Sequence, residues 1–394
     1  DHRGQVQGLL PRFSRGSLVG SFEGREGLTP YARWAAAFGL WPLWGLALLV
    51  VLGVPAFVWR AELAVAVATR VARQHLGSQP LAELADGLHV GLCGAGSPFP
   101  DELRAGPCTL VIAGPHLLVF DAGNGASRNM GKMGFAQGQI EALFLTHFHS
   151  DHIDGLGELL LQRWVQGGHR EPLPVYGPEG VQAVVDGLRT TYQQDQHYRV
   201  EHHGADVVPA SGFGGVAHPF SMDATGRMVV MKTPDLQVTA FAVNHGPVHP
   251  SVGYRIDYKG RSVVLSGDTI ESPAVVREAK GADLLLHEAL SPRLVNALSQ
   301  VAAESRQARL AQIFRDILNY HSTPEEAARS AEAAGVRALV LHHIVPTLPP
   351  LPGMEKAFLG EARTLFKGPL RVGRDGDFIS MPAGSPEIQQ GRRF

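Results

Sequence analysis

Apolar residues follow three rhythms along the chain. The first is an unbroken stretch: residues 34–59 carry no charged side chain and are mostly apolar. That length suits a bilayer-spanning helix, with Trp34, Trp41, Trp44 and Trp59 placed for the two interfaces. Pro42 and Pro55 fall near its ends, where a helix tolerates them best. The stretch is too long for the apolar core of a cleaved signal peptide, and Ala-rich sequence continues beyond it. Four segments result: a tail over 1–33, a transmembrane anchor over 34–59, a helical stalk over 60–85 and one large domain over 86–394. A turn at Gly77-Ser78-Gln79-Pro80 closes the stalk helix.

The second rhythm is the short apolar run bounded by turn residues. It predicts strands over 88–93, 142–145, 173–176, 236–243, 284–286, 338–341 and 378–381. Two hairpins join them, 109–113 with 117–121 around Gly114-Pro115, and 252–258 with 261–265 around Lys259-Gly260. Each hairpin runs into an Asp-containing loop, an internal echo that fits two halves packed sheet on sheet with helices outside.

The third rhythm is helical. It covers 156–165, 178–193, 291–320 and 354–366, and a helix opened by the capping box Thr323-Pro324-Glu325-Glu326 and stopped by Gly335. Residues 195–235 keep no rhythm and read as an irregular lid or surface loop. Its His197, His202, His203 and His218 are not assigned to metal.

Composition narrows the picture a little. With 394 residues, 44% of them hydrophobic, the chain can bury a large core, and its net charge of −2 provides no overall basic field for nucleic acid. The arginines of the tail, Arg3, Arg12, Arg15, Arg25 and Arg33, outnumber Asp1, Glu23 and Glu26, while Arg60, Arg70 and Arg73 follow the apolar stretch. This weak bias favours a single-pass protein of the inner (cytoplasmic) membrane with its large domain on the periplasmic, extracytoplasmic side. Cys93 and Cys108 flank a Gly/Pro-rich loop and read as buried thiols that an oxidising compartment could pair.

The candidate chemistry is concentrated in Thr146-His147-Phe148-His149-Ser150-Asp151-His152, at the carboxyl end of a predicted buried strand. Residues i and i+2 of an extended chain point the same way, so His147 and His149 can hold one metal together. Asp151 and His152 lie past the bend and face a second position. His-x-His-x-Asp-His resembles the signature of the metallo-β-lactamase superfamily of binuclear hydrolases. The resemblance implies an α/β fold, an αββα sandwich over 86–394. It also implies one zinc on His147, His149 and His245, another on Asp151, His152 and His343, and Asp268 bridging the two. Manganese or iron are the other divalent choices. Two ions sharing a water make hydroxide available near neutral pH.

Within that superfamily, residues 88–343 resemble the ribonuclease Z branch through Gly253-Tyr254, Ser266-Gly267-Asp268-Thr269, His287-Glu288-Ala289 and His321-Ser322-Thr323. The spacing from His321 selects His343 over His342 as ligand. By the same resemblance His321 is the general acid and Glu288 orients it; Asp151, placed beside the shared water, can accept its hydrogen bond and aim it. The chain departs from that branch in three ways: it lacks a basic Gly-rich arm, gains a helix between Glu288 and His321, and carries the anchor. Arg104-Ala105-Gly106-Pro107 and Asp121-Ala122-Gly123 resemble an arylsulfatase-like branch instead. The expectation is therefore a membrane-anchored binuclear zinc hydrolase of a small sulfate or phosphate ester. Its partners would be a small-molecule ester and the bilayer, with homo-oligomers allowed and nucleic acid not expected. A tRNA 3′-processing endonuclease of the ribonuclease Z type is the second reading, and a non-catalytic metal-binding protein the third.

Overall fold

The computed structural model describes residues 5–6, 8–21, 26–77 and 80–394. Asp1, Arg3, Glu23 and Arg25, which entered the charge count, and Ser78 and Gln79 of the expected turn lie outside the described residues. The chain divides into two compact units, residues 1–77 and 78–394.

The first unit holds helices Pro30–Phe38, Trp41–Val58 and Arg60–Gly77. The apolar stretch is thus not one helix over 34–59. Gly39 takes a φ of 59° and ends the first helix, and Pro42 lies in the first turn of the next, where its missing N–H leaves no bond unmade. Trp41–Val58 is long and apolar enough to cross a membrane by length and composition, and none of its residues is buried.

Among the described residues, the second unit contains fifteen strands in two sheets. They are β1 (Gly87–Gly94), β2 (Cys108–Ala113), β3 (His116–Phe120), β4 (Ala142–Phe144), β5 (Leu173–Pro178), β6 (Gly215–Phe220), β7 (Arg227–Lys232) and β8 (Leu236–Ala242). They continue with β9 (Val252–Tyr258), β10 (Arg261–Leu265), β11 (Leu284–Leu290), β12 (Ala338–Val345), β13 (Leu370–Val372), β14 (Asp377–Pro382) and β15 (Gln389–Arg392). One sheet runs β15-β14-β1-β2-β3-β4-β5-β6, the other β13-β12-β11-β10-β9-β8-β7. In each, antiparallel hairpins give way to parallel strands, β3 to β6 in one and β10 to β13 in the other.

Burial explains the layering. Alternate residues of the strands, such as Leu88, Val90, Leu118, Phe120, Ile256 and Val263, meet between the sheets. The intervening residues Leu110, Ile112, Leu117 and Val119 pack outward against Met130, Leu156 and Leu159 of helices Ala126–Met133 and Leu156–Gly167. Leu285, Leu339 and Leu341 pack in the same way under Ala327, Ala328 and Ala331 of helix Pro324–Ala334. Strands buried on both faces read as continuous apolar runs, which is why they were visible in sequence. The architecture is the expected αββα sandwich.

Three stretches differ from the sequence expectation. Residues 195–235 are not irregular: they form most of helix Gln193–His203, together with β6 and β7. β6 and β7 are edge strands with mostly half-buried or exposed side chains, so neither carries an apolar rhythm of its own. The 291–320 helix is two, Pro292–Glu304 and Ala308–Asp316, broken where Arg306 takes a φ of 59°. The last helix is likewise split by Gly360, at a φ of 50°, into Met354–Leu359 and Ala362–Leu365.

Cys93 and Cys108 are joined in a disulfide that ties β1 to β2 at the base of the 95–107 loop. Asp375 reinforces this closure by accepting the backbone N–H groups of Ala95 and Ala105 at 3.0 and 2.8 Å. A crosslink closing a loop of this size stabilises a fold by about 3 kcal/mol, by restricting the unfolded chain. The Cys93→Ala/Cys108→Ala double variant should lose about that much in urea unfolding, and reduction of the parent should reproduce the loss. Unchanged stability in both would show that Asp375 alone holds the loop.

Candidate metal centre

The site lies where the parallel strands of both sheets end. Two bonds lock the sheets together there. The fully buried Tyr254 hydroxyl donates to the Leu145 carbonyl at 2.6 Å, and Val252 N–H donates to the Thr146 carbonyl at 3.0 Å. From Thr146 the chain runs extended through His147 and His149, then turns into the short helix Ser150–Ile153.

Asp121, just after β3, organises this turn. With a φ of 57° it sits in the left-handed region, and its carboxylate accepts Thr146 N–H and Thr146 Oγ1, each at 2.9 Å. The same carboxylate faces His152 Nδ1 at 2.9 Å, which fixes the proton on Nδ1 and turns Nε2 inward. Gly123 is required beside it, because a Cβ there would run into the Asp151 carbonyl.

His245, in the loop after β8, is held in the same manner. Its Nδ1 lies 2.9 Å from the Tyr320 carbonyl, which can only accept, so Nε2 faces the cluster. His343 comes from β12 at a register shift opposite Glu288 and Ala289, with a φ of 47°. That bulge aims His343 Nε2 to within 3.2 Å of both Asp151 and Asp268. His342 is buried elsewhere, with neither ring nitrogen hydrogen-bonded, and burial followed by the charge of His343 pushes it down to about 3.

The structure therefore brings all seven candidate ligands together. His147 Nε2 lies 3.0 Å from His149 Nδ1, and His245 Nε2 lies 3.4 Å from the same atom. Asp151, His152 and His343 make a second triad. Between the triads stands Asp268, whose carboxylate is 3.2 to 3.9 Å from His343, His152, His245 and His147. Nitrogen ligands at zinc distances around a tetrahedral ion sit about 3.3 Å apart, so the spacing of the first triad suits such an ion. In the second, His152 Nε2 is buried without a hydrogen-bond partner, as a nitrogen reserved for a cation would be.

Charge follows from this crowding. Burial opposes ionisation of Asp268, but His343, His152 and His147 hold its carboxyl well below the usual range. Burial also opposes a charged His152, yet Asp268, Asp121 and Asp151 raise it well above an ordinary imidazole. His147 is pushed well down by burial, and His152 adds to that shift. So many buried imidazoles and carboxylates with few neutral partners describe a divalent-metal centre.

Glu288 and His321 flank the cluster. Glu288 Oε1 accepts the backbone N–H groups of Thr269 and Ser322 at 3.1 and 3.0 Å and faces His321 Nδ1 at 3.1 Å. Burial works against a charged His321, but Glu288 outweighs it and raises the imidazole above its ordinary value. A cavity of about 260 Å³ opens over Asp151, Asp268, His321 and His343. A larger one, about 750 Å³, reaches the cluster through Asp151 alone. His197, His202 and His203 lie on the exposed helix Gln193–His203, and His218 stacks on Tyr176 at 4.8 Å, none of them near the cluster.

Asp121, Thr146, Tyr254 and the Tyr320 carbonyl had no site role from sequence. The polar triplet Asp121-Ala122-Gly123 at a strand end was the available signal for the first. A backbone carbonyl leaves none.

A family model described as a beta-lactamase superfamily domain matches residues 116–344. The chain belongs to the metallo-β-lactamase superfamily and is a metal-dependent hydrolase acting on ester bonds. Relatives there include ribonucleases Z. That of Mycolicibacterium gilvum is 37% identical over 290 residues, 73% of this chain and 94% of the relative. That of Mycobacterium avium is 34% identical over 300 residues, 76% of this chain and 100% of the relative. Two solved structures share the fold, each at a TM-score of 0.53. The metallo-beta-lactamase fold protein YhfI from Bacillus subtilis is 21% identical and covers 78% of this chain and 100% of its own. The short form of human tRNase Z is 24% identical and covers 75% of this chain and 99% of its own.

These findings correct two expectations. The likeness to ribonucleases Z spans nearly their whole length, which overturns the small sulfate or phosphate ester as substrate and the exclusion of nucleic acid as partner. Those expectations rested on two short motifs, the missing basic arm, the added helix, the net charge and the anchor; such local signals weigh less than a likeness running through the entire catalytic unit.

Asp121→Asn should keep the left-handed backbone, which Asn tolerates, while removing the carboxylate from His152. Metal affinity should fall about 10–100-fold in a chelator competition, with secondary structure intact. Unaltered affinity would reduce Asp121 to a turn residue.

Proposed function

We propose that the catalytic unit is a ribonuclease Z-type endonuclease that hydrolyses a phosphodiester bond in precursor tRNA at its 3′ end. The observation that carries this reading is the joining of full-length ribonuclease Z likeness to a Glu288–His321 pair set beside the metal centre. Two zinc ions would be held, one by His147, His149 and His245, the other by Asp151, His152 and His343, with Asp268 shared. Bound there, the ions would lower the pKa of a water and stabilise charge on the phosphoryl oxygens. Asp151 accepts a hydrogen bond from the attacking water and sets its line of approach. His321, whose imidazole Glu288 raises above its ordinary value, gives its proton to the leaving oxygen. Glu288 keeps the imidazole in place because two backbone N–H groups fix its own carboxylate.

We also propose that Trp41–Val58 is a single-pass anchor in the cytoplasmic membrane, as its length and composition support. A tRNA precursor requires the catalytic unit on the cytoplasmic face, so the extracytoplasmic side suggested by the tail arginines is not carried forward.

Elemental analysis of the zinc-saturated protein should find two ions per chain, and Asp268→Ala should lose metal and turnover together. His321→Ala should retain both ions yet cleave precursor tRNA about 10²–10⁴-fold more slowly, with a smaller loss on a nitrophenyl phosphodiester, whose leaving group needs little help from an acid. An equal loss on both substrates would remove His321 from proton transfer. For the anchor, a carboxyl-terminal reporter should be active in the cytoplasm and should sediment with membranes after an alkaline wash. Activity only outside would overturn the tRNA substrate.

A further inference from the structure

The cavity over the metal centre has two unlike halves. Its polar side is made by Asp151, Asp268, His321 and His343, whereas Phe99, Ile313, Ile317 and Tyr320 make the other side apolar. The apolar side is assembled from two separate pieces of chain. Helix Ala308–Asp316 and the turn after it supply Ile313, Ile317 and Tyr320, and the 95–107 loop supplies Phe99.

Both pieces are held in place. Phe99 stacks on Phe314 with ring centroids 5.6 Å apart and planes inclined by 21°, and Phe314 belongs to a small core with Val295, Ala311 and Ile317. The disulfide and Asp375 close the loop behind Phe99. The Tyr320 ring lies 4.8 Å from both His245 and His321, so the aromatic wall reaches the proton donor itself. Yet Phe99 and Tyr320 remain half-exposed and Ile313 is 50% exposed. None of these side chains is needed to hold metal, and an apolar wall left in water beside a polar centre is costly unless a ligand covers it.

We propose that this wall is a stacking subsite for the base of the leaving nucleoside, that is, the nucleoside whose oxygen is released from the scissile phosphate. The inference rests on the phosphodiesterase reading and specifies its geometry. If His321 protonates the leaving oxygen, the group carrying that oxygen lies next to His321, at the edge of the polar side where the Tyr320 ring begins the apolar wall. At about 260 Å³ the cavity is smaller than pockets for whole drug-sized ligands, so it takes one ring system. Stacking on aromatic side chains is tolerant of base identity, so the subsite demands that a base be present more than it selects which.

The test uses the full-length, metal-loaded protein and a precursor tRNA with or without the base on the leaving nucleoside. The parent should lose about 5–150-fold in kcat/KM on the abasic substrate. Phe99→Leu should lose about 10-fold on the intact substrate and almost nothing further on the abasic one, with metal content unchanged. Equal rates on the two substrates by the parent would overturn the subsite while leaving the endonuclease reading in place, and that comparison needs no variant to fold. Hydrolysis of bis(p-nitrophenyl) phosphate without any cleavage of tRNA would overturn the endonuclease reading and the subsite with it.

Discussion

A buried carboxylate, Asp268, governs the catalytic unit. It is 2% exposed and faces four imidazoles contributed by both sheets. Such a group cannot be moved from water into a protein interior without compensating charge, and here the compensation has to be delivered by residues from distant parts of the chain. The demand reaches into the fold. His147 and His152 arrive from the first sheet, while His245, His343 and Asp268 itself arrive from the second. Their ring atoms stay within ligand spacing only if the sheets keep one fixed relation. The Tyr254 hydroxyl on the Leu145 carbonyl and the Val252 amide on the Thr146 carbonyl supply that relation a few residues from the ligands.

Around the ligands, rings are held by acceptors that choose which nitrogen points inward. Asp121 does so for His152, the Tyr320 carbonyl for His245, and Glu288 for the proton donor His321. Two of the positions involved, Asp121 and His343, have a backbone in the left-handed region, where residues with a Cβ are rarely found. Strain of this kind persists when many contacts fix a residue at once, as they do at this strand-end crowd.

The substrate side of the centre comes from different parts of the chain than the ligand side. Helices Pro292–Glu304 and Ala308–Asp316 lie between the strand bearing Glu288 and the residue His321, so a helical hairpin can be lengthened there without moving either end of the proton-transfer pair. Against it packs the 95–107 loop, fastened at its base by the disulfide and Asp375 and at Phe99 by the stack on Phe314. Short motifs near the mouth helped to misdirect the substrate assignment, whereas the likeness to ribonucleases Z runs through the whole catalytic unit.

The sequence by itself located most of the strands and the His-rich strand end, and through its family resemblance implied the sandwich and the grouping of the candidate ligands. Strands buried on both faces must be apolar throughout, and a His-x-His-x-Asp-His run at the end of one has little use except to hold cations. The capping box at Thr323, with its bonds of 3.1 and 2.7 Å to Glu326, was equally legible because helix starts are decided within four residues. Only the tertiary structure decided the rest. β6 and β7 are strands because a neighbouring strand pairs with them, not because their own residues demand it. His343 faces the cluster and His342 turns away because a bulge against β11 resets the side-chain alternation at that point. Cys93 and Cys108 pair because β1 and β2 bring their Cα atoms to 5.0 Å. Each of these depends on contacts between residues far apart in the chain, which local pattern does not record.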